Sequence, residues 1–217
     1  QQMAISSYEK ALSLGGNGYE LHYKIGAAYL DTGEVKLALQ QLRKSLSLNP
    51  DYPKTLYKLS YTYMLVGDYL NAIKTLDHGL EITPDNLQFH LTLAINYYSI
   101  GKLSVARSVF EQVRERNHSN EFNSMAAGML ALISYRQNNM AEGNRYWQEA
   151  LSKGLTVAEI YLNWARVEAI AQHKGEALKF IAKARASGAS NLNNLFYDPA
   201  FKSLHDETEF IPLIRPK

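Results

Sequence analysis

Apolar residues recur along most of the chain at the spacing of one face of an α-helix. Leu56, Leu59 and Tyr63 share such a face, and Leu70 and Ile73 share another a few residues later. Positions three and four apart fall on one side of a helix, whereas a strand would alternate apolar and polar residues. The pattern therefore predicts pairs of amphipathic helices of roughly 14 residues each, and an all-α fold without β-sheet.

The same pattern repeats with a fixed period. Gly33, Gly67 and Gly101 are spaced by 34 residues. The same step relates several other columns: Tyr29, Tyr63 and Tyr97; Ala38, Ala72 and Ala106; Pro50 and Pro84. After Asn120 the phase shifts by three residues, so residues 121–123 are interpreted as an insertion. A period of this length is typical of solenoids, in which each unit buries its apolar face against its neighbours.

These columns resemble the tetratricopeptide repeat family, whose helix–turn–helix unit has 34 residues. The best match places Leu56 where the family has its leading Trp and continues through Leu59, Tyr63, Gly67, Ala72, Leu76, Gly79 and Pro84. The resemblance implies a right-handed α–α superhelix. It divides the chain into the second helix of a truncated repeat (1–18), five full repeats (19–52, 53–86, 87–120, 124–157 and 158–191) and a C-terminal helical cap (192–217).

The sequence predicts different features at the two ends of the array. The segment after residue 191 resembles endings that follow such arrays, and we expect Phe201, Leu204, Phe210 and Ile214 to be buried in the cap. Residues 1–18 hold only half a repeat, so we expect the natural protein to extend further toward its N-terminus. Uncovered apolar faces tend to associate, which predicts a homodimer through this open end.

The first helices of such a stack line its concave side, so residues at one helical phase form a groove. The predicted partner-binding groove consists of Tyr23, Tyr57, Tyr61, Met64, Leu91, Ile95, Tyr98, Leu132, Tyr135 and Arg166, and its predicted rim of Lys24, Lys54, Lys58 and Arg136. Apolar patches of this length on a soluble protein usually bind a partner. Two alternatives remain: Tyr98 and Tyr135 pack against neighbouring first helices, or the cap fills the groove.

Composition narrows the chemistry available to the chain. It has 217 residues, no cysteine and a formal net charge of +2, so thiol chemistry is excluded and no nucleic-acid partner is expected. No metal site, cofactor or catalytic residue is predicted, because the six histidines lack ligand spacing and no nucleophile motif occurs. His22 is interpreted as a packing residue. No apolar run is long enough for direct membrane insertion.

The sequence therefore predicts a non-enzymatic scaffold that binds an apolar helix or extended peptide of another protein. The alternative is a regulatory or sensor region of a larger signalling or transcription protein. The cytoplasm and the periplasm suit the sequence equally well, since it contains no cysteine.

Overall fold

The computed structural model describes residues 2–116 and 120–215. These residues form the helices α1 (Gln2–Ser13), α2 (Tyr19–Asp31), α3 (Val35–Leu48), α4 (Pro53–Leu65), α5 (Tyr69–Ile82), α6 (Leu87–Ser99), α7 (Leu103–Arg116), α8 (Asn120–Arg136), α9 (Met140–Ser152), α10 (Val157–Ile170), α11 (Lys174–Ala186) and α12 (Phe210–Ile214), and the 3-10 helices Leu192–Phe196 and Pro199–Leu204. None of the described residues lies in a β-strand. The predicted all-α fold, a right-handed α–α superhelix, is confirmed.

The turns between paired helices explain the glycine column. Gly33, Gly67 and Gly101 adopt φ angles of +78°, +78° and +76°, a left-handed conformation that glycine enters without steric cost. The next residue then donates its N–H back into the helix, as Asp68 does to the Tyr63 carbonyl at 2.9 Å. Each first helix is thereby terminated and the chain reverses into its partner helix.

Small residues let the two helices of a pair approach closely. A Cβ added to Gly26 would lie 2.7 Å from Leu42 Cγ, so a larger side chain would force α2 and α3 apart. Ser60, Ala94 and Ala165 are completely buried at the corresponding positions of later pairs. The column of Ala38 is equally buried, at Ala72, Ala106 and Ala177. These columns of the sequence pattern therefore mark helix–helix contacts, as predicted.

The first helix of each pair faces the interior of the superhelix. α2, α4, α6, α8 and α10 contact one another in succession, and α10 also packs against α6. α8 begins at Asn120, so residues 121–123 lie in its first turn and not in a connecting loop. The division into five repeats with the stated boundaries stays a prediction.

The C-terminal segment folds against the last pair of helices and reaches across the superhelix. Phe201, Leu204, Phe210 and Ile214 are buried there, as predicted. The second 3-10 helix packs on α10, and Lys202 Nζ donates to the Gly33 carbonyl at 3.1 Å. The cap therefore connects α10, the first helix of the last pair, with the turn between α2 and α3.

Among the helices of the described residues, none combines the length and apolarity needed to cross a bilayer.

At the N-terminal end of the chain, Ile5, Tyr8 and Leu12 of α1 are partly covered. A homodimer formed through α1 stays a prediction.

Candidate protein-binding cleft

A cleft of about 490 Å³ lies between the first helices of the N-terminal pairs and the cap. Its walls come from α2, α4, α10 and the two 3-10 helices with the residues between them: Leu30, Asp31, Tyr57, Lys58, Tyr61, Arg166, Asn194, Tyr197, Asp198 and Pro199. We call it the concave cleft. Four residues of the predicted groove and rim, Tyr57, Lys58, Tyr61 and Arg166, meet in it.

Two tyrosines one helical turn apart on α4 form the aromatic wall of the cleft. The Tyr57 ring stacks on the Phe89 ring with centroids 6.1 Å apart, which fixes its position against α6. Burial raises the pKa of the Tyr57 hydroxyl. Burial, followed by the charge of Asp198, raises the pKa of the Tyr61 hydroxyl. Both phenols are therefore neutral groups that combine an aromatic face with a hydrogen-bonding tip.

An ion pair forms the opposite wall. Arg166 Nε and Nη2 donate to Asp198 Oδ2 at 3.1 and 2.8 Å. Asp198 Oδ1 also accepts from the Ala200 N–H at 3.0 Å, which caps the second 3-10 helix. The Arg166 guanidinium lies over the Phe201 ring, 5.9 Å from its centroid. Arg166, a residue of the predicted groove, thus holds the cap against α10 while it lines the cleft.

Four side chains assigned to the groove are buried in the core: Met64, Leu91, Tyr98 and Leu132. α10 packs against both α6 and α8, the helices that carry Leu91, Tyr98 and Leu132. Met64 of α4 lies against Asn96 of α6. Tyr98 is 2% exposed, and its hydroxyl donates to Glu168 Oε1 at 2.5 Å. Met64, Leu91 and Tyr98 therefore belong to the core and not to an open groove, whereas Leu132 borders a cavity between the last two helix pairs.

A buried polar cluster joins α10 to α6 and α8. Glu168 is fully buried and accepts from Tyr98, from Arg136 Nη2 at 2.6 Å, and pairs with His173 Nδ1 at 2.8 Å. Arg136 also lies over the Tyr98 ring, 5.1 Å from its centroid. Burial and the Glu168 charge raise the pKa of the Tyr98 hydroxyl. Arg136, predicted to flank the groove, compensates this buried carboxylate.

The remaining predicted residues lie outside the concave cleft. The Tyr23 ring packs edge-on against Tyr52 with centroids 5.6 Å apart, while Lys24 and Lys54 are exposed and Ile95 is half-buried. Tyr135 packs edge-on against Trp164 at 6.1 Å and donates to Asn144 Oδ1 at 2.8 Å. Only the N-terminal part of the predicted groove therefore lies in the concave cleft, while Leu132, Tyr135 and Arg136 border a separate cavity between the last two helix pairs.

Sequence reasoning missed the cap's contribution to the cleft. Asn194, Tyr197 and Asp198 line it, although the repeat pattern stops before them. The Asp198-Pro199 pair indicated a cap, but nothing in the pattern indicated which surface the cap covers. The formal charges of the lining residues cancel, because Lys58 and Arg166 are matched in number by Asp31 and Asp198. Among the described residues, no three His, Asp or Glu side chains are grouped so as to hold a metal ion.

Comparisons with known proteins agree with this architecture. Tetratricopeptide repeat models match residues 19–52 and 53–86, and a second such model matches residues 91–151. A tetratricopeptide repeat protein of Parabacteroides merdae ATCC 43184 is 19% identical, with a TM-score of 0.68 over 93% of this chain and 77% of its own. No curated protein sequence matches the chain significantly.

Two further solved structures share the fold. A thermophilic tetratricopeptide repeat protein of Thermus thermophilus, TTC0263, is 22% identical, with a TM-score of 0.61 over 84% of this chain and 98% of its own. The PilF protein of Pseudomonas aeruginosa is 16% identical, with a TM-score of 0.61 over 90% of this chain and 88% of its own. The matched models and the shared superhelix place this chain in the tetratricopeptide repeat family.

Proposed function

We propose that the protein is a non-enzymatic scaffold that binds a segment of another protein in the concave cleft. Tetratricopeptide repeat proteins are typically interaction scaffolds without catalytic activity. The observation that carries the proposal is the pair Tyr57 and Tyr61, which stand side by side in a cleft that the cap narrows but does not fill. Buried aromatic residues near the centre of an interface contribute most of its binding energy.

The margin of the cleft supplies charges that can orient a partner. Lys58 and Asp31 form no ion pair with another described residue, whereas Arg166 and Asp198 neutralise each other. Charges at an interface rim contribute mainly to orientation and association rate. A partner segment with an apolar centre and polar flanks therefore suits the cleft.

The size of the cleft favours an extended segment over a long helix. One turn of α-helix, about 5.4 Å high and 10–12 Å wide, occupies roughly 400–600 Å³. The cleft of about 490 Å³ thus accommodates about one helical turn. An extended peptide can place one apolar side chain against Tyr61 and continue along the solvent-exposed margin.

The test is calorimetric titration of a partner that is recovered by pull-down with the wild-type protein. Tyr61→Ala should weaken binding by about 1–3 kcal/mol. Lys58→Glu should weaken binding and Lys74→Glu should not, because Lys58 lines the cleft and Lys74 is an exposed residue of the outer helix α5. Lys54→Ala should cost less than about 1 kcal/mol and nothing at high salt.

All variants are compared only after thermal unfolding shows that they are folded. Wild-type affinity in Tyr61→Ala and Lys58→Glu, together with loss of binding in Lys74→Glu, would contradict the proposal. Neither the comparisons nor the described residues favour the alternative of a regulatory or sensor region.

A further inference from the structure

A second cavity, of about 510 Å³, lies between the last two helix pairs and shares no lining residue with the concave cleft. Its walls come from α8, α9, α10 and α11. Five aromatic rings contribute to it: Tyr135, Trp147, Tyr161, Trp164 and Phe180. We call it the aromatic pocket.

The rings form one contiguous cluster. Trp164 lies 5.2 Å from both Trp147 and Phe180, measured between ring centroids, and 5.7 Å from Tyr161. Its indole N–H donates to the Gly128 carbonyl at 2.8 Å, which fixes the ring as the floor of the pocket. Trp147 and Tyr161 are only half-buried, so part of each ring remains available to a ligand.

Tyr135 completes the pocket because a glycine leaves room for it. A Cβ added to Gly143 would lie 2.4 Å from the Tyr135 ring, so no larger residue fits there without displacing the tyrosine. The Tyr135 hydroxyl is held by Asn144 Oδ1. Contacts within the chain therefore hold the pocket in shape, which keeps the entropic cost of binding low.

The charges around the pocket have a net positive sign. Arg136, Lys179 and Lys183 lie at its margin with a single carboxylate, Glu176. Lys179 Nζ contacts that carboxylate at 3.3 Å, and Arg136 is paired with Glu168. Lys183 has no carboxylate of the described residues within ion-pair distance. Its ammonium group lies over the Tyr161 and Phe180 rings, 5.4 and 5.5 Å from their centroids.

We propose that the aromatic pocket is a second binding site, for an acidic peptide segment that inserts one aromatic side chain. The side chain packs on Trp147, Tyr161 and Trp164, where edge-to-face contacts between rings are favourable. A flanking carboxylate pairs with Lys183 and makes the ion pair that this lysine lacks. This site does not depend on the concave cleft.

Intrinsic fluorescence tests the site directly, because both tryptophans of the protein, Trp147 and Trp164, line it. The probe is an acetylated, amidated peptide of sequence Asp-Glu-Phe-Glu-Asp, whose phenylalanine does not emit in the tryptophan range. Its titration should change the tryptophan emission in a saturable way. Peptides with Lys in place of every acidic residue, or with Ala in place of Phe, should bind at least about tenfold more weakly.

Two matched charge reversals distinguish binding in the aromatic pocket from non-specific attraction between the peptide and the positive charge of the protein. Lys183→Glu should raise the dissociation constant of the acidic peptide at least about tenfold. Lys74→Glu makes the same change of charge on α5, outside the pocket, and should leave the constant within about twofold. No saturable change of emission up to about 1 mM peptide, equal binding of the acidic and basic peptides, or equal effects of the two reversals would overturn the proposal.

Discussion

Two glycines of the fourth helix pair differ sharply in their surroundings. A Cβ on Gly128 would meet no atom within 4 Å, whereas a Cβ on Gly143 would meet the Tyr135 ring at 2.4 Å. Gly128→Ala should therefore stabilise the protein by up to about 1 kcal/mol, because alanine is the better helix former. Gly143→Ala should destabilise it by about 1–3 kcal/mol, because the ring must move.

Urea denaturation of both variants measures the difference. The two changes are chemically identical and lie in paired helices, α8 and α9, so each controls for the other. Equal effects of the two substitutions on the free energy of unfolding would show that the Tyr135 ring does not rest on Gly143.

Single residues that follow the repeat could be predicted from the sequence, and those that contact a distant helix could not. Ala72, Ala106 and Ala177 belong to a column of small residues and are buried as that column requires. Tyr98 occupies the helical phase that was predicted to face the groove, yet it is buried. Its partner Glu168 is 70 residues away, and the repeat pattern contains no information about how closely α10 approaches α6.

At the scale of elements, α8 is the most enclosed helix of the solenoid. It has 17 residues, and every described residue from 126 to 134 is buried. Neighbouring helices surround it: α6, α7, α9 and α10 all contact it. A helix that is apolar on all sides is stable only inside such an enclosure.

Native-state hydrogen exchange should therefore be slowest in the middle of α8. Its amides can open only when several neighbouring helices separate, which requires nearly global unfolding. α3, which has an exposed outer face, provides the internal comparison. Exchange in residues 126–134 as fast as in α3 would contradict the packing described for α8.

The sequence pattern predicts that each helix exists, but it does not predict where each helix begins. The insertion at residues 121–123 was visible as a shift of phase, but not as an extension of α8. A shift in the pattern records how many residues are added and does not distinguish a longer loop from a longer helix. Asn123 is nonetheless buried, so the added residues contribute to the core.

At the scale of the whole molecule, the cap closes the superhelix by joining its two halves. Arg166 and Asp198 tie the cap to α10, Lys202 reaches the carbonyl of Gly33, and Tyr69 donates to the Ile170 carbonyl at 2.5 Å. These contacts connect α10 and the cap with the N-terminal helix pairs. The repeat period specifies how neighbouring units stack, whereas these contacts between distant units follow from the curvature of the entire stack and could not be predicted.

Asp198→Ala should loosen this closure. The substitution removes both the partner of Arg166 and the cap of the second 3-10 helix, which together should cost about 1–2 kcal/mol. We expect a lower unfolding temperature and a larger radius of gyration in small-angle X-ray scattering. Lys74→Glu on α5 is the control and should change neither value. An unchanged radius and unfolding temperature in Asp198→Ala would show that the ion pair does not hold the cap.

Site-specific photo-crosslinking tests most directly whether the concave cleft binds the partner. A photoreactive phenylalanine analogue replaces Tyr61 in one variant, where it preserves an aromatic ring in the cleft, and Lys74 in another, where it lies on the outer helix α5. After illumination of the complex with the recovered partner, we expect crosslinked partner from position 61 and none from position 74. Crosslinks from position 74 without any from position 61 would contradict the assignment of the concave cleft as the binding site.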